Sequence, residues 1–135
     1  MNRLCCVLAV VVLAGCGPKG PPIGTAEGKL TIGGKAPPYP VAVIFANSSQ
    51  GQASSGAAKE DGSYELYGDV KTGEYKVYLE KIVNSDGPVS TGKLVLSIVP
   101  KEFRTEETTP LMKTIKEGKN TIDIDVPLLE ESPKK

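Results

Sequence analysis

Thr121-Ile122-Asp123-Ile124-Asp125-Val126 alternates polar and apolar residues without a break. Successive side chains of a β-strand point to opposite faces, so this stretch reads as a strand with one dry face and one wet face. The same period of two recurs outward from it. Leu30 and Ile32 alternate with Lys29 and Thr31 until Gly33-Gly34 breaks the run. After the turn dipeptide Asp61-Gly62, Ser63-Tyr64-Glu65-Leu66-Tyr67 places Tyr64 and Leu66 on one face, and residues 74–83 do the same for Tyr75, Val77 and Leu79. Residues 41–46, Val-Ala-Val-Ile-Phe-Ala, are apolar on both faces and predict a central, fully buried strand. Residues 94–99 predict a further strand, ended by Pro100. Residues 111–115 are expected to form a hairpin with 121–126 across Glu117-Gly118-Lys119-Asn120, with Asn120 as a left-handed turn residue. The Ser-, Gly- and Gln-rich residues 47–57 read as a long exposed loop. About seven short strands without a helical stretch predict an all-β fold, a single antiparallel β-sandwich.

The N-terminus carries a different signal. Arg3 supplies a basic start, residues 4–13 are unbroken apolar sequence, and Leu13-Ala14-Gly15-Cys16 closes the run as a bacterial lipobox. The apolar run is far shorter than the ~20 residues of a membrane-spanning helix. Residues 1–15 are therefore expected to be a lipoprotein signal peptide, with Cys16 acylated as the first mature residue. Residues 16–25 read as a Pro/Gly stalk, able to hold a domain about 25 Å from the bilayer in polyproline geometry. Residues 26–128 are the sandwich, and 129–135 a charged tail. The expected location is the bacterial cell envelope, periplasmic or exposed at the outer membrane. Gly17, in place of an Asp after the lipidated cysteine, favours the outer membrane.

Composition narrows the chemistry. The 135-residue chain has no histidine, which removes the commonest neutral-pH general base and the commonest zinc ligand. Its three cysteines are Cys5 and Cys6 in the signal and Cys16 at the lipid, so the folded part has no thiol for a disulfide, a metal or a nucleophile. Sixteen basic residues balance 16 acidic ones, and loss of Arg3 with the signal leaves a formal net charge of −1. Nucleic acid is not expected as a partner, because phosphate binding needs clustered positive charge.

The order of several short pieces resembles the carboxypeptidase regulatory-like domain, a transthyretin-like or prealbumin-type sandwich found in short bacterial lipoproteins. The pieces are Gly28-Lys29-Leu30 with Gly34-Lys35-Ala36-Pro37, the strand at 41–45, and Glu60-Asp61-Gly62-Ser63-Tyr64-Glu65-Leu66. Thr72-Gly73-Glu74-Tyr75-Lys76-Val77, Val99-Pro100-Lys101-Glu102-Phe103, Thr109-Pro110-Leu111 and Gly118-Lys119-Asn120-Thr121-Ile122-Asp123 continue it. The resemblance implies a fold and an envelope location. It implies no peptidase domain, and the histidines and C-terminal motif of transthyretin-related hydrolases are missing.

Motif matches elsewhere lack the context their chemistry needs. Gly87-Pro88-Val89-Ser90-Thr91-Gly92-Lys93 approaches a phosphate-binding loop, but Leu94 stands where magnesium needs a hydroxyl and a strand pattern follows. Ser90-Thr91-Gly92-Lys93 and Lys71-Thr72-Gly73 match two penicillin-binding motifs in reversed order, without the third. Asp61, Asp86, Asp123 and Asp125 lack EF-hand spacing for calcium. Lys29 and Asn120 are placed for an isopeptide bond only if the lysine is buried. The reading is a non-enzymatic, lipid-anchored, monomeric envelope protein without cofactor or metal, an interaction or structural module of unknown ligand whose partner would be an envelope protein or a carbohydrate. Its candidate contact residues are Asn47, Ser48, Ser49, Gln50 and Gln52 in one loop and Asn84, Ser85 and Asp86 in another. The alternative is a small carboxylate-dependent enzyme or an accessory subunit of an envelope enzyme, using groups such as Glu60, Asp61, Glu65 and Asp69.

Overall fold

The computed structural model describes residues 17, 20–38, 40–82 and 97–129. Among them are nine strands: β1 (Ile23–Ile32), β2 (Val41–Asn47), β3 (Gln52–Ala58), β4 (Ser63–Glu65), β5 (Val70–Lys71), β6 (Gly73–Glu80), β7 (Met112–Ile115), β8 (Gly118–Thr121) and β9 (Ile124–Val126). They form two sheets packed face to face. One has β1 at its centre with β4, β5, β8 and β9 around it; the other runs β3-β2-β6-β7. The architecture is the expected all-β sandwich.

Period-two patterning positions the core. Ala26, Leu30 and Ile32 of β1, Tyr64 and Leu66 at β4, and Ile124 and Val126 of β9 are buried from one sheet. Val41, Val43 and Phe45 of β2 and Tyr75, Val77 and Leu79 of β6 meet them from the other. Phe45 sits between two tyrosines, with ring centroids 6.3 Å from Tyr64 and 6.4 Å from Tyr75, a tilted spacing that aromatic quadrupoles favour. Both tyrosines keep their hydroxyls satisfied on backbone carbonyls, Tyr64 on Ile122 and Tyr75 on Lys71.

Strand β1 is hydrogen-bonded along both edges. Antiparallel β4 and β5 lie on one side, and parallel β8 and β9 on the other. Each pair is one strand with an interruption, so the nine segments amount to seven strand runs. Between β4 and β5 the register slips: Gly24 to Gly28 on β1 faces Val70 back to Tyr64, four steps against six. The two extra residues form a bulge at Tyr67-Gly68-Asp69.

Between β8 and β9 the register is kept, with Glu27 opposite Thr121 and Leu30 opposite Ile124, but one peptide turns out of the ladder. Gly33 N–H donates to Val126 O at 2.7 Å, and the equivalent step four residues back would join Lys29 N–H to Ile122 O. Instead Lys29 N–H donates to the Asp123 carboxylate at 2.9 Å. The freed Ile122 carbonyl points over Gly28, where a Cβ would stand 2.0 Å from its oxygen. The Tyr64 hydroxyl donates to that carbonyl from the position opposite Gly28. Burial, aided by the Asp123 charge, raises the Tyr64 pKa and keeps the phenol protonated as a donor.

Several sequence expectations are corrected. Residues 47–57 are not a long loop: a 3-10 turn at Ser48–Gln50 leads into β3, fully paired with β2. The composition is small because β3 lies close against β4 of the other sheet. A Cβ on Gly56 would stand 2.1 Å from Glu65 O, and Tyr67 N–H donates to Ser55 O at 2.9 Å. The hairpin expected between 111–115 and 121–126 does not form. β7 pairs with β6, and the chain then crosses to the opposite sheet to run parallel to β1. Strand β2 is central, but on its outer face Ala46 is buried while Ala42 and Ile44 are only half-buried, so that face is covered only in part. Of the strand expected at 94–99, residues 94–96 lie outside the described residues, and 97–99 are not in a strand. Asn120 belongs to β8, and no residue except glycine has a positive φ among the described residues. β1 starts at Ile23, inside the stretch read as a stalk, with Thr72 N–H donating to Pro22 O.

Gly28→Ala puts a methyl into the Ile122 carbonyl and is expected to cost about 2 kcal/mol, within the usual range for overpacking. Thermal unfolding checks it, as a fall of ~5–10 °C in Tm. An unchanged melt would mean that the two strands do not approach this closely.

Candidate functional site

The outward side chains around β1 and β4 border an open groove of about 790 Å³ on the solvent side of the five-stranded sheet. Its walls include Glu27, Lys29, Lys59, Glu65, Tyr67 and Asp123. Alternation along β1 and β4 sends Glu27, Lys29 and Glu65 outward, since their neighbours point into the core. The bulge places Tyr67 here. Gly68 takes φ +71, a conformation glycine adopts without strain, and Tyr67 stands 73% exposed. Sequence reading put Tyr67 at the end of a strand and gave it no role. The available signal was Gly68 after the alternating run.

Two charged groups on this face form an ion pair. Glu27 Oε1 lies 2.7 Å from Lys119 Nζ, and that bond, followed by the charges of Glu27 and Glu65, raises the Lys119 pKa. Glu65 stands directly opposite Glu27 across β1 and β4, so the lysine offsets a like-charge pair. Asp61 accepts from Ser63 Oγ at 2.6 Å and Ser63 N–H at 2.9 Å, which holds its pKa below the ordinary value, with Lys29 and Lys59 adding to the effect.

The aspartates weighed for calcium have structural partners. Asp61 closes its turn on Ser63, Asp123 takes the Lys29 amide, and Asp125 accepts from Thr31 Oγ1 at 2.6 Å. Asp86 lies outside the described residues. Of the carboxylates weighed for acid–base work, Glu65 borders the groove, while Glu60 and Asp69 are exposed in a turn and in the bulge. Lys29 is exposed, and the Asn120 amide is a clamp. Asn120 Nδ2 donates to the carbonyls of Thr25, Lys116 and Gly118, and Oδ1 accepts from Lys116 N–H at 2.9 Å. It braces the crossover from β7 to β8 rather than facing Lys29.

The candidate contact residues divide by position. Asn47, Ser48, Ser49, Gln50 and Gln52 come together at the tip joining β2 to β3. Asn47 Oδ1 accepts from Ser49 Oγ and Gln50 N–H, and its Nδ2 donates to Glu74 O. Gln52 Nε2 donates to Gln50 O at 3.3 Å. Ser48 donates from N–H and Oγ to the Glu106 carboxylate, at 3.1 and 2.5 Å. The polar groups that suggested adaptable binding thus shape the tip and pin it to the segment before β7. Asn84, Ser85 and Asp86, like the phosphate-loop match at 87–93 and Cys16, the residue expected to carry lipid, lie outside the described residues.

No family model and no curated protein matches the chain. Among solved structures it is similar to a DUF3823 family protein from Parabacteroides merdae, at 11% identity with a TM-score of 0.40. The match covers 81% of this chain and 47% of that one, so the chain spans less than half of that protein's length. The sandwich assignment rests on the chain's own sheets.

The Ser48 bonds hold the Glu106 pKa below its ordinary 4.5, helped by the charge of Lys76. A depressed carboxylate stabilises the folded arrangement above its unfolded pKa and loses that contribution as pH falls through the folded value. The Ser48 amide is therefore expected to exchange faster as pH drops below 4.5, after correction for intrinsic exchange. NMR exchange measurements on wild type and Glu106→Gln check this. Wild-type protection should fall with acid while the variant's stays flat; identical profiles would contradict the pinning.

Proposed function

We propose that the chain is a lipid-anchored lipoprotein of the bacterial cell envelope, its carboxypeptidase regulatory-like sandwich acting as a non-enzymatic interaction module. The observation that carries the reading is the adjacency of anchor and fold. The lipobox residue Cys16 precedes the first residue of β1, Ile23, by only seven positions, and β1 is the strand around which one sheet is built. Two or more acyl chains on Cys16 give stable membrane attachment where one gives marginal attachment.

The groove beside Tyr67 is the surface offered to a partner. An exposed aromatic ring beside paired carboxylates and lysines suits a polar ligand with a flat apolar face, a carbohydrate or an extended protein segment. The non-enzymatic reading is supported by composition and by pairing. The chain has no histidine, and Glu27 is committed to Lys119 rather than left available to a reacting group. The outer-membrane location follows from Gly17 and stands as part of the proposal.

Cys16→Ser is expected to leave unprocessed or mislocalised protein, while wild type partitions into the detergent phase. Phase partitioning of both, with intact mass of the wild type, checks the claim. Wild type in the aqueous phase with no added lipid mass would overturn it. A soluble form for binding studies needs to begin upstream of Pro22, because Pro22 O accepts a hydrogen bond from Thr72.

A further inference from the structure

The two ends of the sandwich differ, and the sequence ties one of them to Cys16. β1 enters at Ile23, and three other features lie at that end. β5 brings Lys71 opposite Ile23. The crossover from β7 to β8 brings Lys116 and Gly118 against Gly24, where a Cβ would stand 2.2 Å from Lys116 O. The tip Ser48–Gln50 sits there as well, with Asn47 bonded to Glu74 O and Gln50 Oε1 beside Gly73. The opposite end carries the Gly33-Gly34 turn with Lys35, and the exit of β6 at Glu80, opposite Ala42.

We infer that the end formed by Ile23, Lys71, Lys116 and the Ser48–Gln50 tip faces the lipid headgroups and rests at or near them. This rests on the reading of Cys16 as the acylated residue. Seven residues reach at most about 25 Å even when fully extended. The sandwich, tethered by the first residue of its central strand, cannot turn its far end to the bilayer without bending that tether back along its own length. Surface chemistry at the near end agrees with an interfacial position. Ile23 is 46% exposed, one of five large exposed hydrophobic residues among those described, and Lys71 and Lys116 are exposed beside it. An apolar side chain with two lysines nearby suits a layer of phosphate above acyl chains. Glu74 and Glu117 lie at the same end and are exposed, so charge contributes less to the placement than the tether does.

The inference reassigns the tip between β2 and β3. Asn47, Ser48, Ser49, Gln50 and Gln52 become the membrane-side rim of the domain rather than its partner-binding loop. The groove beside Tyr67 lies further up the same sheet, bordered by residues paired with the middle of β1 (Glu65 with Glu27, Ser63 with Lys29) and clear of the bilayer.

The test uses the full lipidated chain, whose folded part has no other thiol. Gln50→Cys, Lys116→Cys and Lys35→Cys, each labelled with a small fluorophore, are reconstituted into vesicles of phosphatidylethanolamine and phosphatidylglycerol. The vesicles contain a headgroup spin-labelled lipid as quencher. Quenching is expected to be severalfold greater at residues 50 and 116 than at residue 35. Equal quenching at all three, or greater quenching at 35, overturns the orientation while leaving the anchor intact. Failure of the unlabelled wild type to float with vesicles overturns the anchor, and the orientation with it.

Discussion

The carbonyl of Ile122 occupies the space that a side chain at residue 28 would fill, and much of the sandwich is arranged around that contact. Turning this peptide out of the ladder leaves a donor and an acceptor to be satisfied, since an unpaired backbone group in the interior costs about 1–3 kcal/mol. Asp123 takes the donor, Lys29 N–H, and Tyr64 supplies the acceptor's partner. Glycine at 28, tyrosine at 64 and aspartate at 123 are therefore one device drawn from β1, β4 and the break between β8 and β9. The first fits the carbonyl and the other two restore the hydrogen bonds. Because Tyr64 also packs on Phe45, the device ties the local break in one sheet to the aromatic contact with the other.

From this follows the placement of the outer face. Asp123 and Lys29 are held at the rim of the groove by the same bond that repairs the ladder. The slip between β4 and β5 on the opposite edge of β1 pushes Tyr67 outward. A fold that interrupts both neighbours of its central strand presents its outward residues at those interruptions. Bulged edges commonly serve to re-aim a side chain in this way.

Alternation carried much of the fold into the sequence. Leu30 and Ile32, Tyr64 and Leu66, Tyr75 with Val77 and Leu79, and Ile124 with Val126 all face the core as their spacing implies. What alternation did not carry is pairing, because period two says which face a residue takes but not which strand lies beside it. Residues 111–115 and 121–126 look like the arms of a hairpin, yet the Asn120 amide bridges Lys116, Gly118 and Thr25 and sends the chain to the other sheet. β3 was hidden for a different reason. Close approach to β4 requires small residues, and Ala53-Ser54-Ser55-Gly56-Ala57 has the composition of a loop. Tyr67 was invisible as a surface feature because a bulge is a property of two strands in register, not of one.

Strand β1, clamped on both edges, is expected to be the most stable element of the domain, so that the amides inside the clamp open only when the whole molecule unfolds. Native-state hydrogen exchange tests this most directly. The amide of Leu30, bonded to Gly62 O on the β4 side, is expected to exchange with the free energy of global unfolding and at least as slowly as those of Val43 and Val77 in the other sheet. Exchange at Leu30 through a lower-energy local opening, with β2 and β6 still protected, would overturn that placement.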